Sequence, residues 1–140
     1  MLYFAYGMNT NPSEMALRCP GAQALGHARL LNHSFRFAVH ADVEPCADSY
    51  VDGVLWEISQ DNLQALDQLE GYPHYYTRVT ASAVFGARTF HVLVYRMQPG
   101  HDVSAPSRSY FDTVTQGYLA FDVPLDQLEN SYNFSITNFG

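Results

Sequence analysis

A strand-rich α+β fold is what this chain predicts: a curved antiparallel sheet or a small β-barrel with helices at its ends. Three observations point there. The sequence holds ten Tyr and nine Phe, and aromatic side chains suit the half-buried face of a pleated sheet. Segments with strand character outnumber helical ones along the chain. Two of them, Tyr76–Phe85 and Thr89–Met97, flank Gly86-Ala87-Arg88, which is hairpin chemistry.

In chain order, Leu2–Tyr6 is a short aromatic run cut by Gly7, a strand followed by a turn. Asn11 then caps a helix, with Pro12 in its first position and Glu14 in the favoured first turn, ending near Cys19 before Pro20-Gly21. Ala24–Leu31 and Phe35–Val39 read as two strands, the second alternating Phe35 and Phe37 with Arg36 and Ala38. Ala41–Ser49, mixed polar and small, reads as a loop. Val51–Ile58 is a strand with Val54, Trp56 and Ile58 on one face. Ser59–Gly71 is an amphipathic helix: Ser59 caps it, Leu63, Leu66 and Leu69 share a face, and Gly71 stops it. After the hairpin, Gln98–Pro106 is a loop, Ser107–Phe121 a helix and Pro124–Asn130 a short helix. The polar-aromatic tail from Ser131 is expected to lie on the surface or fray.

At 140 residues the chain is expected to form one domain spanning 1–140. Its net charge of −7 argues against nucleic acid, which requires a basic face. No basic cluster suits an anionic membrane surface, and no apolar run approaches the ~20 residues that span a bilayer. The apolar start Met1–Tyr6 lacks the basic residues of a secretory signal. Cys19 and Cys46 have no motif spacing and read as free thiols in a reducing cytoplasm. Oligomeric state is left open.

Glu70 is the most informative single residue. It sits in the last turn of the Ser59–Gly71 helix, where the helix dipole opposes a carboxylate by roughly 0.3–1 kcal/mol. A carboxyl so placed has a raised pKa, and burial raises it further, which suits a general acid/base near neutral pH. The simpler reading of this segment alone is a solvated glutamate at a frayed helix end. Tyr6-Gly7-Met8-Asn9 follows the first strand, and such a turn either exposes consecutive amides to an anion or simply ends a strand. No metal or other cofactor is indicated. His33 and His40 would face opposite ways on one strand, and His27, His74, His91 and His101 have no ligand spacing. No Gly-x-Ser-x-Gly elbow occurs, and Ser107 and Ser109 read as helix-capping residues.

Taken in order, these short signals resemble one family. Leu2-Tyr3-Phe4-Ala5-Tyr6-Gly7-Met8-Asn9, Arg18-Cys19-Pro20-Gly21-Ala22 and Gly26-His27-Ala28-Arg29-Leu30 look like the opening of the gamma-glutamylcyclotransferase (AIG2-like) family. Val54-Leu55-Trp56, Leu66-Asp67-Gln68-Leu69-Glu70-Gly71-Tyr72 and Tyr75-Tyr76 are similar to its central acidic motif. Pro106-Ser107-Arg108-Ser109-Tyr110, Gly117 and Pro124-Leu125 resemble its C-terminal helical segment.

The resemblance implies a small mixed β-barrel with peripheral helices, and an enzyme without cofactor or metal that cyclises a small gamma-glutamyl compound to 5-oxoproline. It implies Glu70 as acid/base, Tyr6, Gly7, Met8 and Asn9 as the substrate-binding turn, and Tyr76 and Tyr110 as pocket tyrosines, with Tyr75 competing for the place of Tyr76. Met8 stands where the family usually has Ser. Backbone amides would survive that exchange, whereas a required hydroxyl would not. The competing class is a non-catalytic module on the same fold that binds a small ligand or serves interaction.

Overall fold

The computed structural model describes residues 1–138. Strand β1 (Leu2–Ala5) leads through a 3-10 turn (Met8–Thr10) into helix α1 (Pro12–Arg18). Strands β2 (Gln23–Ala38) and β3 (His40–Glu57) form a long hairpin, followed by α2 (Gln60–Leu69). A second hairpin, β4 (Tyr76–Phe85) and β5 (Arg88–Met97), precedes α3 (Arg108–Ala120) and α4 (Asp126–Asn138). The strands close into a barrel in the order β1-β3-β2-β4-β5. Four neighbouring pairs are antiparallel. The fifth, β1 beside β5 with Tyr3 opposite Leu93, is parallel and makes the barrel mixed.

Local chemistry sets most of the ends as expected. Asn11 Oδ1 accepts from the Ser13 and Glu14 amides at 3.0 and 3.3 Å, and Ser59 and Asn62 form a reciprocal capping box on α2. Ser107 caps α3 by accepting from the Tyr110 amide, whereas Ser109 lies inside the helix. Gly86, at φ 61°, turns the second hairpin between Phe85 and Arg88, a conformation that glycine adopts without a Cβ penalty. Phe4, Leu30, Val51, Val54, Leu55 and Val94 are fully buried in the barrel.

Several expectations are corrected. Ala24–Leu31 and Phe35–Ala38 lie in one strand, interrupted by a register shift at Asn32, whose φ of 59° is tolerated by its short polar side chain, and Val39, expected to end the second strand, lies instead at the reversal before β3 with φ 65°. Ala41–Ser49 is strand and not loop: Phe37 pairs with Ala41 and His33 with Pro45. Arg36 ties the strands together through Asp42 (2.8 Å) and Glu44 (3.2 Å). Residues Glu44–Asp48 are exposed, so this stretch never needed the apolar alternation that marks a strand.

The tail from Ser131 continues α4 to residue 138. Leu125, Leu128, Tyr132 and Ser135 recur at helical spacing, Leu128 and Ser135 fully buried and Tyr132 against Phe111 at 4.6 Å. A serine in the stripe hid the pattern. Leu69 also departs from the expected inward face of α2; Leu63 and Leu66 are buried and Leu69 is 46% exposed.

Candidate active site

Two devices bring a turn and a carboxyl together at one end of the barrel. The first holds Gly7–Asn9. Thr10 donates to the Gly7 carbonyl through both its amide (3.1 Å) and its hydroxyl (2.7 Å), and the buried Tyr118 hydroxyl donates to the Tyr6 carbonyl (2.6 Å). Helix α3 presses on the turn so closely that a Cβ on Gly117 would lie 2.2 Å from Thr10 Oγ1. Amides at the start of such a turn have no acceptor within it, which leaves those of Met8 and Asn9 available to a bound anion.

The second device fixes the end of α2. Asp67 pairs with Arg78 of β4 and accepts from the Tyr95 hydroxyl of β5 at 2.6 Å. Glu70 is the C-terminal cap, its amide bonded to the Leu66 carbonyl at 2.8 Å. That end is anchored and not frayed. Glu70 is only partly exposed, and its Oε1 accepts from Asn9 Nδ2 at 3.4 Å. The same Nδ2 donates to the Tyr3 hydroxyl (3.0 Å), while Asn9 Oδ1 accepts from the Arg18 guanidinium (2.6 Å). Burial pushes the Glu70 carboxyl up to about 7, against a lowering pull from the Arg18 charge. Desolvation, and not the helix end emphasised by the sequence, is therefore the leading cause.

Tyrosines wall the space between. Tyr76 donates to the Ala41 carbonyl (2.8 Å), and Tyr110 accepts from the Ala41 amide (3.0 Å). Tyr6 donates to the Tyr95 carbonyl (2.6 Å). Burial raises every one of these phenols, Tyr110 to about 12 and Tyr6 and Tyr76 well above the ordinary phenol value, so they stay protonated at neutral pH.

Glu70, Tyr6, Gly7, Met8, Asn9, Tyr76 and Tyr110 line one cavity of about 210 Å³. That is below the ~300–1,000 Å³ usual for drug-sized ligands and suits an amino-acid-sized group. Tyr75 and Tyr76 both line it. Among the described residues, no three His, Cys, Asp or Glu side chains are grouped to hold a metal ion, and Cys19 (buried) and Cys46 (exposed) are free thiols.

A family model described as gamma-glutamyl cyclotransferase, AIG2-like, matches residues 3–113. The chain belongs to that family. A solved structure named gamma-glutamyl cyclotransferase is similar with a TM-score of 0.84 at 24% identity, over 94% of this chain and 85% of its own. A human structure described as an uncharacterized protein gives 0.83 at 25% identity, over 93% and 85%. A mouse AIG2-like protein gives 0.58 at 17% identity, over 78% and 80%. No curated protein matches significantly.

Within this gamma-glutamyl cyclotransferase-like barrel, the cavity is also lined by residues not singled out as site residues in the sequence, among them Tyr3, Arg18, His40 and Tyr95. Arg18 alone had a local cue, being a cation in the last turn of a helix. The others reach the cavity through strand pairing. The φ of Gly7 is −119°, so the turn needs no left-handed residue. The constraint is space, since a Cβ there would meet Ala41 Cβ at 3.0 Å and Tyr110 Oη at 3.1 Å.

Proposed function

We propose that the chain is a gamma-glutamyl cyclotransferase that releases 5-oxoproline and an amine from a small gamma-glutamyl compound, with Glu70 as general acid/base. The observation that carries this reading is a carboxyl titrating at about 7, inside an amino-acid-sized cavity and bonded to the turn beside it. A cavity that only bound a ligand would gain nothing from a carboxyl poised at neutrality. A general base gains most there, because its deprotonated fraction and its proton affinity are both useful.

The cavity's charges match a zwitterionic glutamyl end. Glu70 faces the alpha-ammonium, while Arg18 and the amides of the Gly7–Asn9 turn complement the alpha-carboxylate. Glu70 removes a proton from the ammonium, and the freed lone pair attacks the substrate's own gamma-carbonyl to close a five-membered ring. Nucleophile and electrophile share one molecule, so holding the reactive conformer supplies much of the acceleration. Collapse breaks the amide C–N bond, and the carboxylic acid of Glu70 protonates the departing nitrogen. The attacking nitrogen sheds two protons in all and the leaving nitrogen ends as an ammonium, so one carboxyl relays both in turn.

Incubation with a panel of gamma-glutamyl amides, with detection of 5-oxoproline, tests the reading. Product from the wild type and none from Glu70→Gln is expected. A folded wild-type protein that forms no 5-oxoproline across the panel would overturn it in favour of a binding module.

A further inference from the structure

A chain of hydrogen bonds runs from α4 to the turn beside the cavity. It starts at Gln127, in the first turn of that helix. Gln127 Oε1 accepts from the Asp52 amide of β3 (2.8 Å), and Nε2 donates to the Asp52 carbonyl (2.7 Å) and to Tyr118 Oη (2.7 Å). Tyr118 Oη donates in turn to the Tyr6 carbonyl (2.6 Å). The start of the chain is anchored, because Asp52 is buried and its carboxylate accepts from His27 Nε2 (2.7 Å) and Arg29 Nε (3.3 Å). Neither Gln127 nor Tyr118 lines the cavity.

The atoms leave the chain only one direction. The Asp52 N–H must be met by the oxygen of Gln127, which turns the NH2 group toward both the Asp52 carbonyl and Tyr118. That group has two protons, one for each partner. The Tyr118 hydroxyl, already accepting one of them, has a single proton of its own, and it goes to the Tyr6 carbonyl. Burial pushes this phenol well above its ordinary value, so the proton stays in place at neutral pH.

The peptide that receives this chain joins Tyr6 to Gly7. Gly7 lines the cavity, and among the described residues no acceptor takes its N–H. A donor on the carbonyl of a peptide polarises the N–H at its other end, and each bond in such a series strengthens the next by roughly 10–30%. The Gly7 N–H is therefore a stronger donor than an ordinary turn amide. It belongs to the same cavity wall as the amides of Met8 and Asn9 and the Arg18 guanidinium.

We propose that Gln127 and Tyr118 are positioning residues for the alpha-carboxylate of the bound glutamyl group: acting through the Tyr6–Gly7 peptide, they orient and strengthen the Gly7 N–H that grips it. The inference rests on the cyclotransferase reading and deepens it. A donor that holds the alpha-carboxylate equally in the ground and transition states acts on KM and spares kcat. A tyrosine needed for packing alone would, on losing its hydroxyl, loosen the site for any ligand, charged or not.

5-Oxoproline and 2-pyrrolidinone differ only in that carboxylate, which makes them the matched probes. Their Kd values are to be measured by NMR titration in wild type, Tyr118→Phe and Gln127→Glu, with Tm alongside. KM and kcat are measured on the gamma-glutamyl amide that wild type uses best. Gln127→Glu keeps the shape but puts an acceptor where Nε2 was, so the Tyr118 proton turns from the Tyr6 carbonyl to the new carboxylate. In both variants the Kd of 5-oxoproline and the KM should rise about threefold to tenfold. The Kd of 2-pyrrolidinone and kcat should each stay within about twofold. Equal weakening of both lactams, or an undiminished affinity for 5-oxoproline in folded Tyr118→Phe, overturns the inference and leaves the cyclotransferase reading standing. If Tyr118→Phe does not fold, Gln127→Glu decides by the same criterion. A wild type that turns over no gamma-glutamyl amide and does not prefer 5-oxoproline to 2-pyrrolidinone overturns both.

Discussion

Replacing Glu70 with Gln separates catalysis from stability, and the two effects have opposite signs. The carboxyl is raised from its ordinary 4.5 to about 7 in the folded protein, chiefly by burial. Below pH 4.5 it is protonated both folded and unfolded, and its full contribution to stability is present. Between pH 4.5 and about 7 the unfolded chain loses the proton while the fold still holds it, so stability falls as pH rises. Above that window the penalty is constant. About 2.5 pH units at ~1.4 kcal/mol each give on the order of 3 kcal/mol, and solvent reaching the partly exposed carboxyl trims this to ~2–3 kcal/mol. The amide of the Glu70→Gln variant never ionises and keeps the oxygen that accepts from Asn9. At about pH 8 the variant should therefore melt roughly 6–10 °C above wild type. The gap should close by pH 4.5. Turnover, by contrast, should fall about 10²–10⁴-fold, because an amide relays no proton. Thermal unfolding of both proteins from about pH 4 to 8, with 5-oxoproline release on the same preparations, measures both effects. A Tm gap that does not vary with pH, or wild-type turnover in the variant, would refute the argument.

Gly7→Val places a Cβ 3.0 Å from Ala41 Cβ and 3.1 Å from Tyr110 Oη, so KM should rise about tenfold or more while stability drops by only ~1–3 kcal/mol. Met8→Ser keeps the backbone amides and should leave turnover within about an order of magnitude, changing mainly the preference among leaving amines. If Met8→Ser destroyed activity and Gly7→Val did not, the account of the turn would be wrong. Gly117→Ala forces a Cβ to 2.2 Å from Thr10 Oγ1 and 2.7 Å from the Asn11 amide nitrogen. Helix α3 must move off the turn, at ~1–3 kcal/mol in stability and with a matching loss in kcat. Unchanged Tm and kcat would show that this contact positions nothing. In oxygen-18 water the 5-oxoproline should carry no solvent oxygen, and an N-acetylated substrate should stay unreacted, since its amine has no lone pair to offer. Labelled free glutamate would instead mean hydrolysis.

The parts of the site that were legible in the sequence are those made by near neighbours. Asn11 and Ser59 announce their helices because a cap acts across two or three residues. Gly86 announces its hairpin for a similar reason. Ala41–Ser49 was illegible because its pairing partner is another segment and its outer half faces water. Ser135 was illegible because a buried serine, which donates to the Tyr132 carbonyl three residues back (2.6 Å), looks polar to any hydrophobic pattern.

Alone, the sequence determined the local grammar of this protein: the strand and turn at Gly7, the caps, the second hairpin and a carboxylate at the end of α2, all set by interactions a few residues long. Only the tertiary structure decided that β1 and β5 pair in parallel to close the barrel, which brings Tyr3 and Tyr95 to one cavity. The tuning of Glu70 was decided there too. A helix end shifts a carboxyl by at most ~1 kcal/mol at an exposed site. Moving it to about 7 takes desolvation, which depends on what packs over the carboxyl from elsewhere in the chain.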